Sequence, residues 1–350
     1  QPQMLSYWLK NTVVTPMNKA VELPIVQPLY GTYQNHGAGS AVLKSNPSIR
    51  NWYLNQVMIL QCNRKFINGF TTPNIDIQQA WWHNQPYLEQ KRYEMQYLSG
   101  YVNPVIRELL SDGYYVAFEG VDDFYVPGKS WYKERHACHD GLICGYDQND
   151  KTYSLFSYDS NWIYRVFKTP QKGWNAGRKA ILNEGTYGSF ICGLKPKDDE
   201  VLLEPETILM KLREYLDSSL EKYPVTEDDM VEGIAVHEYI AMYVGKLIDG
   251  SIPYERMDRR VFRLIWEHKV VMAERLQKVE DALEMDHSIS ERYLPLVEEA
   301  NTLRMLYASY HMKRRDSLLP VIQKKLLRLK GTEEILLTEF VKKVGGILKK

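Results

Sequence analysis

Around residue 200 the chain changes character, and that change limits what it can fold into. Of the 44 Lys and Arg and the 44 Asp and Glu, residues 1–200 hold 20 and 18, which leaves 24 and 26 for the shorter stretch 201–350. Aromatic residues run the other way: 31 of the 42 Phe, Trp and Tyr lie in the first 200 residues, together with 15 of the 21 glycines. An aromatic, Gly-rich stretch joined to a charged, Leu-rich one is the pattern of a mixed sheet-and-helix domain followed by a helical domain. The junction is Gly193-Leu194-Lys195-Pro196-Lys197-Asp198-Asp199-Glu200, whose Gly, Pro and charge cluster mark a linker. We therefore expect an α+β domain over residues 1–195 and an all-helical domain over 201–350, two cores that a chain of 350 residues is long enough to bury.

The same composition excludes several classes. A net charge of zero and a pI near 7.2 lack the basic excess of a dedicated nucleic-acid binder. No run of about 20 apolar residues is present, so no membrane-spanning helix is expected. Four cysteines are too few for a disulfide scaffold and point to the cytoplasm. Gln1-Pro2-Gln3 reads as the remnant of a tag ahead of a native start at Met4, with no secretory signal.

Hydrophobic periodicity predicts helices over 46–61 and 103–112, the latter ended by Gly113. Strands are predicted over 114–119, 141–146, 153–158 and 162–167, each rich in aromatic and aliphatic residues and separated by turn residues such as Asp147-Gln148-Asn149-Asp150. Beyond the linker, helices are predicted over 205–222, opened by Pro205, and over 228–248, stopped by Asp249-Gly250. Further helices are expected over 254–285, over 289–329 with kinks at Pro295 and Pro320, and over 332–348, where Thr332-Glu333-Glu334 follows Gly331 as a capping signal.

The sharpest local feature is His136-Ala137-Cys138-His139-Asp140-Gly141-Leu142-Ile143-Cys144-Gly145-Tyr146-Asp147, followed by Leu155-Phe156-Ser157-Tyr158-Asp159. A histidine opening one strand and an aspartate closing the next meet side by side in an antiparallel hairpin. A carboxylate on one ring nitrogen fixes the tautomer of a general base and stabilises its imidazolium form. His139 with Asp159 is thus a candidate base pair, and two ordinary polar residues at strand ends are the other account of the same spacing.

The segment from His139 to Asp147 resembles the histidine strand of the papain-like cysteine-protease superfamily, in particular the double-glycine leader peptidases and the acyltransferases similar to the butirosin-biosynthesis protein H N-terminal domain. Upstream, Val121-Asp122-Asp123-Phe124-Tyr125-Val126-Pro127 resembles the Asp-aromatic-Pro stretch that precedes this histidine in the acyltransferases. The resemblance implies a papain-like fold with a cysteine nucleophile near the N-terminus, His139 as base and Asp159 as orienter, with Asn161 in reserve.

The stretch matching the nucleophile motif is Gln34-Asn35-His36-Gly37-Ala38-Gly39-Ser40-Ala41-Val42-Leu43. Gly39, Ala41 and Leu43 fit, and Ala38 stands where the family has cysteine. A thiolate at a helix N-terminus gains from the helix dipole, and nearby N–H groups receive an oxyanion. The resemblance implies Gln34 or Asn35, with the backbone N–H of residue 38, as oxyanion donors. Either Ala38 replaces a native cysteine through an inactivating substitution, or the chain is a natural pseudo-enzyme that binds without cleaving. Ser40 as a substitute nucleophile is the weaker account; a helix-start hydroxyl is the stronger.

Other readings compete for the same residues. His136, Cys138, His139 and Cys144 suggest zinc, but a second ligand cluster is missing, so no metal is expected. Cys62 reads as buried filling at a helix end and Cys192 as a core strand residue. His237-Glu238 begins like a metalloprotease helix without its second histidine, and a partly polar helix face accounts for it better. Arg256, Arg259, Arg260 and Arg263, with Lys313, Arg314 and Arg315, form either a solvated face or a docking patch for an acidic carrier protein and its phosphopantetheine. Trp81-Trp82, Tyr114-Tyr115, Trp131-Tyr132 and Trp162 are core residues for the most part, and some suit the walls of a tunnel for a flat aromatic acyl chain, of the kind used in closthioamide-type polythioamide assembly. The expected reaction is amide formation: an acyl or peptidyl group passes from a carrier-protein thioester to a small amine acceptor through a Cys-His-Asp triad, with no cofactor of the chain's own. A cysteine peptidase of the same fold and a catalytically dead binding or self-resistance protein are the alternatives.

Overall fold

The computed structural model describes residues 18–68, 72–184, 189–218 and 230–349; the tag remnant expected at residues 1–3 and the helix ends expected at 222 and 228 lie outside them. Close contacts divide the chain into two units, Gln1–Val26 with Leu88–Lys197, and Gln27–Tyr87 with Asp198–Lys350.

The first unit is an antiparallel sheet. Its strands are β1 (Ala20–Glu22), β4 (Leu88–Glu94), β5 (Tyr115–Asp122), β6 (Cys138–Asp147), β7 (Thr152–Tyr158), β8 (Tyr164–Pro170) and β9 (Phe190–Pro196). They lie in the order β4-β9-β5-β6-β7-β8, and β1 pairs with the second half of β6, Val21 opposite Tyr146. Helices α4 (Val102–Ser111) and α5 (Gln171–Glu184) supply Ile106, Leu109, Leu110 and Trp174 to a core shared with Val116, Phe118, Ile143, Tyr153, Leu155 and Ile191. β5 and β6 run longer than their hydrophobic runs, because polar residues at their paired ends continue the ladder as far as Asp122 opposite Cys138.

The second unit takes in α1 (Gln34–Ala41), α2 (Arg50–Gln56), β2 (Leu60–Asn63), β3 (Asp76–Ile77) and β10 (Met230–Glu232). Its C-terminal helices are α6 (Pro205–Leu216), α7 (Val236–Ile248), α8 (Val261–Ala282), α9 (Ser288–Lys313) and α10 (Leu318–Ile347); a short helix, α3 (Met95–Leu98), belongs to the first unit. Residues 27–87 thus group with the helices rather than with the sheet. The cause is hydrogen bonding: β2 pairs with β10 on one side and β3 on the other. The buried guanidinium of Arg275 on α8 donates to the carbonyls of Leu54 at 2.6 Å and Val57 at 2.8 Å, capping α2. Glu267 accepts from the backbone N–H groups of Gly31 and Thr32 at 3.0 and 2.9 Å.

The predicted helix over 46–61 becomes one single turn, Pro47–Ile49, and α2, ending before the strand that carries Cys62. The helix expected to open at residue 254 starts at Val261, after Pro253 and a turn held by Asp258, whose carboxylate accepts from Arg260 N at 3.0 Å. The long helix expected over 289–329 is two, because Arg314 takes the left-handed conformation (φ 47°) and ends α9, and Pro320 sits in the first turn of α10. Gly331 opens no new helix: it lies inside α10, where isolated glycine is tolerated.

Candidate functional site

Chemistry-bearing residues gather where β5 gives way to a loop and β6 begins. Gly120 has φ 78°, and the β5–β6 register shifts between Phe118 and Val121. A β-bulge of this kind bends the strand and re-aims the side chains beyond it. A Cβ at Gly120 would meet Ser189 at 3.0 Å, and Ser189 Oγ donates to Gly120 O at 3.1 Å, so the bulge is pinned in place. Past it, Val121 pairs with His139 and Asp122 with Cys138. Strand alternation puts Asp123 on the face of Val121 and His139, and Asp122 on the opposite face, diagonal to His136.

The contacts obey that geometry. His139 Nδ1 donates to Asp123 Oδ2 at 2.7 Å, and His136 Nδ1 to Asp122 Oδ2 at 2.6 Å. Both carboxylates are buried, with side-chain exposure of 4 and 2 %, whereas the His139 ring is 38 % and the His136 ring 61 % exposed. Asp122 Oδ1 also accepts from the N–H groups of Phe124 and Ala137, each at 3.1 Å, and His136 stacks on Phe124 with ring centres 4.3 Å apart. Asp122 with His136 therefore closes the base of the 124–137 loop, while Asp123 orients His139 and leaves its Nε2 to accept or deliver a proton. Lys129 from the same loop is buried, with Nζ 3.3 Å from Asp123 Oδ1 and 2.6 Å from Ser157 Oγ.

The expected partner Asp159 does something else. Extending the Leu142–Phe156 pairing by three residues brings position 139 opposite position 159, as the spacing implied. The Asp159 carboxylate nevertheless turns into its own hairpin, accepting from Asn161 N at 2.8 Å, Ile163 N at 3.0 Å and Arg165 Nε at 2.5 Å. Burial works against its ionisation, but those N–H groups and the Arg165 guanidinium outweigh burial and hold it below the usual carboxylate range. The carboxylate that meets His139 is thus Asp123 and not Asp159. Asn161, the reserve, is an exposed turn residue. The same turn holds Trp162 at φ 59°, half exposed and edge-on to Trp131 at 5.5 Å.

Position 38 lies in the second unit. Ala38 is 2 % exposed and is the fifth residue of α1, so its N–H is directed along the helix to the carbonyl of Gln34 and does not face an oxyanion. Gln34 is buried and Asn35 half-buried. Gly39 is required by packing, since a Cβ there would meet Tyr53 Oη at 2.6 Å and Trp82 at 3.0 Å. Ser40 Oγ accepts from Leu29 N at 3.1 Å, a structural hydroxyl. One turn away, the fully buried ring of His36 meets Asp76 at 2.8 Å, and Trp81 Nε1 donates to the same carboxylate at 3.1 Å. Desolvation raises the Asp76 carboxyl, yet the bonds from His36, Trp81 and Ile77 bring it below its ordinary value.

The remaining candidates separate. Among the described residues no three His, Cys, Asp or Glu gather as metal ligands. The four thiols are free, and each is pushed up, chiefly by burial: Cys62 and Cys144 to about 12, Cys138 and Cys192 to about 11. His237 is no part of a polar face; it is fully buried, donates Nδ1–H to Ile234 O at 2.9 Å, and burial lowers it to about 3. Of the arginine stripe, Arg260 pairs with Asp258 at 2.9 Å, Arg263 with Glu267 at 3.0 Å and Arg314 with Glu255 at 3.4 Å. Arg256, Arg259, Lys313 and Arg315 are exposed.

Asp123 was legible as a carboxylate next to the histidine strand, in the Val121–Pro127 stretch; the signal missed was the consecutive Asp122-Asp123 facing His-x2-His, one pair for each side of the ladder. No helix among the described residues is long and apolar enough to cross a membrane. Neither a protein-family model nor a curated protein matches the chain.

Proposed function

We propose that the chain is an amide-forming acyltransferase of papain-like type that lacks its nucleophile, with position 38 as the place of the missing thiol. The observation that carries this reading is the 2.7 Å bond between His139 Nδ1 and the buried Asp123, with the ring partly open to solvent. In the active form the nucleophilic thiol gives its proton to the histidine base, the role this reading assigns to His139, and attacks the carbonyl of a carrier-protein thioester. The bond to the phosphopantetheine sulfur breaks, and that sulfur leaves with the proton from His139. An amine then attacks the new thioester, His139 takes the amine proton, and the amide departs as the thiol is restored. Gln34 and Asn35 side chains remain the oxyanion donors of this reading; the N–H of residue 38 does not. The exposed cations Arg256, Arg259, Lys313 and Arg315 are the docking surface assigned to the acidic carrier protein.

The test is the full chain carrying Ala38→Cys, incubated with an acyl-pantetheine thioester and small amines. A mass increase equal to the acyl group on the new thiol, discharged as amide when amine is added, supports the reading. A new thiol that stays unacylated over hours overturns it. A second reading, a binding protein without thiol chemistry, is favoured by one observation: burial drives all four native thiols away from the reactive thiolate form.

A further inference from the structure

The buried ammonium behind Asp123 is left over from the reaction just described. Lys129 has a side-chain exposure of 3 % and sits in the loop that Asp122 and His136 close at its base. A lysine is almost never buried so fully unless its charge is matched. Its partners here are Asp123 Oδ1 at 3.3 Å and Ser157 Oγ at 2.6 Å. The Asp123 carboxylate is therefore shared, Oδ2 with the His139 imidazole and Oδ1 with the ammonium. The chain Ser157–Lys129–Asp123–His139 ties β7, the loop, the end of β5 and the start of β6 to one another.

We propose that Lys129 is a positioning residue that acts through Asp123, fixing the carboxylate against His139 and limiting how tightly His139 holds a proton. The proposal rests on the reading of His139 as the proton-transfer group. A carboxylate that serves imidazolium alone strengthens the base, so that the proton it takes is slow to leave. A carboxylate already facing an ammonium keeps the orientation while giving the imidazolium less stabilisation. That division suits a group that must take a proton and return it within one turnover.

The other titratable groups near the start of β6 are accounted for: Asp122, Asp140 and Glu119 act with Asp123 on the thiol of Cys138, His136 pairs with Asp122, and Arg165 pairs with Asp159. From the helix packed on β5, Gly173 and Gly177 meet the loop and strand, and Arg178 faces Tyr153. None of these changes in the experiment, which follows the His139 ring by NMR through a pH titration of the full chain without substrate. Lys129→Met is expected to move the ring's midpoint upward by about one pH unit, the effect of removing one charge several ångströms away at intermediate effective dielectric. Lys129→Arg, which keeps the charge, is expected to restore most of it. Ser157→Ala frees the ammonium to lean on Asp123 alone and is expected to move the midpoint the other way; this variant decides the matter should Lys129→Met not fold. Folded variants whose His139 ring titrates with the unaltered protein overturn the proposal. The titration needs no acyl donor, so a failure of Ala38→Cys to form amide leaves this result standing, and the two outcomes are separable.

Discussion

His139 and Asp123 meet as diagonal neighbours across the end of the β5–β6 ladder, with His139 Nδ1 2.7 Å from Asp123 Oδ2, because a bulge at Gly120 resets the register just before them. The pairing separates two carboxylates that the sequence makes look alike. Asp123→Asn is expected to lower the pH at which the His139 ring titrates by about one unit, since a neutral amide replaces the charge that stabilises imidazolium. Asp159→Asn is expected to leave that ring alone and to lower the thermal midpoint, because it strips the hairpin of bonds from Asn161, Ile163 and Arg165. NMR titration and thermal unfolding of both variants check the assignment; an Asp159→Asn protein with a displaced His139 titration returns the orienter role to Asp159.

The helical unit carries its own charge network. Lys269 donates to both Glu333 oxygens at 2.8 and 2.7 Å, and Tyr293 and Tyr215 donate to the same carboxylate. His268 accepts from Lys269 on Nδ1 and donates Nε2–H to Met58 O, while His237 lies 3.6 Å from Glu333. Glu333→Gln leaves a buried ammonium without its charge partner and is expected to cost about 3–5 kcal/mol in denaturant unfolding. Replacing the pair together, with Lys269→Met and Glu333→Leu, removes the unpaired charge but strands the buried Tyr215 and Tyr293 hydroxyls, so it is expected to recover only part of that loss.

The same network makes the unit sensitive to acid. Burial holds His237 down to about 3 and His268 well below its ordinary value, so both are neutral when folded. The unfolded chain binds those protons below about pH 6.5 and the folded chain does not, so stability is full above that pH and falls as pH drops toward 3. Glu333, whose ionised form Lys269 sustains against burial, adds a loss of the same sign below the ordinary glutamate range. Midpoints of urea unfolding are expected to hold from pH 7.5 to about pH 6.5 and to fall from there to pH 5, and His237→Gln to flatten that fall; a flat profile in the unaltered chain refutes the account.

How much of this was legible depended on whether a feature was local. Capping at Pro205 and the stop at Asp249-Gly250 are local, and the helices there obey them. The arrest of the predicted 46–61 helix is not. It stems from β2 pairing with β10, 167 or more residues away, and from Arg275 of α8 taking the carbonyls of α2. Position 38 was placed by motif register, which carries no information about how far upstream a helix begins; α1 starts at Gln34 and takes its N–H groups with it. The β6–β7 ladder stops at Leu142 and Phe156, short of His139 and Asp159, and the carboxylate is taken by a turn that has no glycine and uses Asp159 to hold Trp162 in a left-handed conformation.

Two glycines with opposite surroundings test how the site is held. A Cβ on Gly177 of α5 would stand 2.6 Å from Asp122 O and 2.9 Å from Val121 Cγ1. Gly177→Ala must therefore push the helix off the strand that delivers Asp122 and Asp123, with an expected cost of about 1–3 kcal/mol. A Cβ on Gly331, inside α10, meets nothing within 4 Å. Gly331→Ala is expected to add about 0.5–1 kcal/mol by reducing backbone freedom in the unfolded chain. Chemical denaturation of the two variants side by side gives both signs in one experiment.

The native thiols supply the last prediction. Cys138 is the one of the four that is partly exposed, and it adjoins His139, yet burial first and then Asp122, Asp123, Asp140 and Glu119 push it up to about 11. At pH 7.5 its thiolate fraction is on the order of 1 in 1,000 or less, so alkylation of the folded chain is expected to be slow at every cysteine. Raising the pH toward 10 is expected to label Cys138 first, as Cys62, Cys144 and Cys192 are enclosed in the core. Asp140→Asn removes one of the charges that disfavour the Cys138 thiolate, so its labelling at fixed pH is expected to rise severalfold while the other three stay slow. Peptide mass spectrometry after timed iodoacetamide treatment reads each site. Rapid labelling of Cys138 at neutral pH in the unaltered chain would mark it as an activated thiol beside His139, and would move the search for a nucleophile from position 38 to position 138.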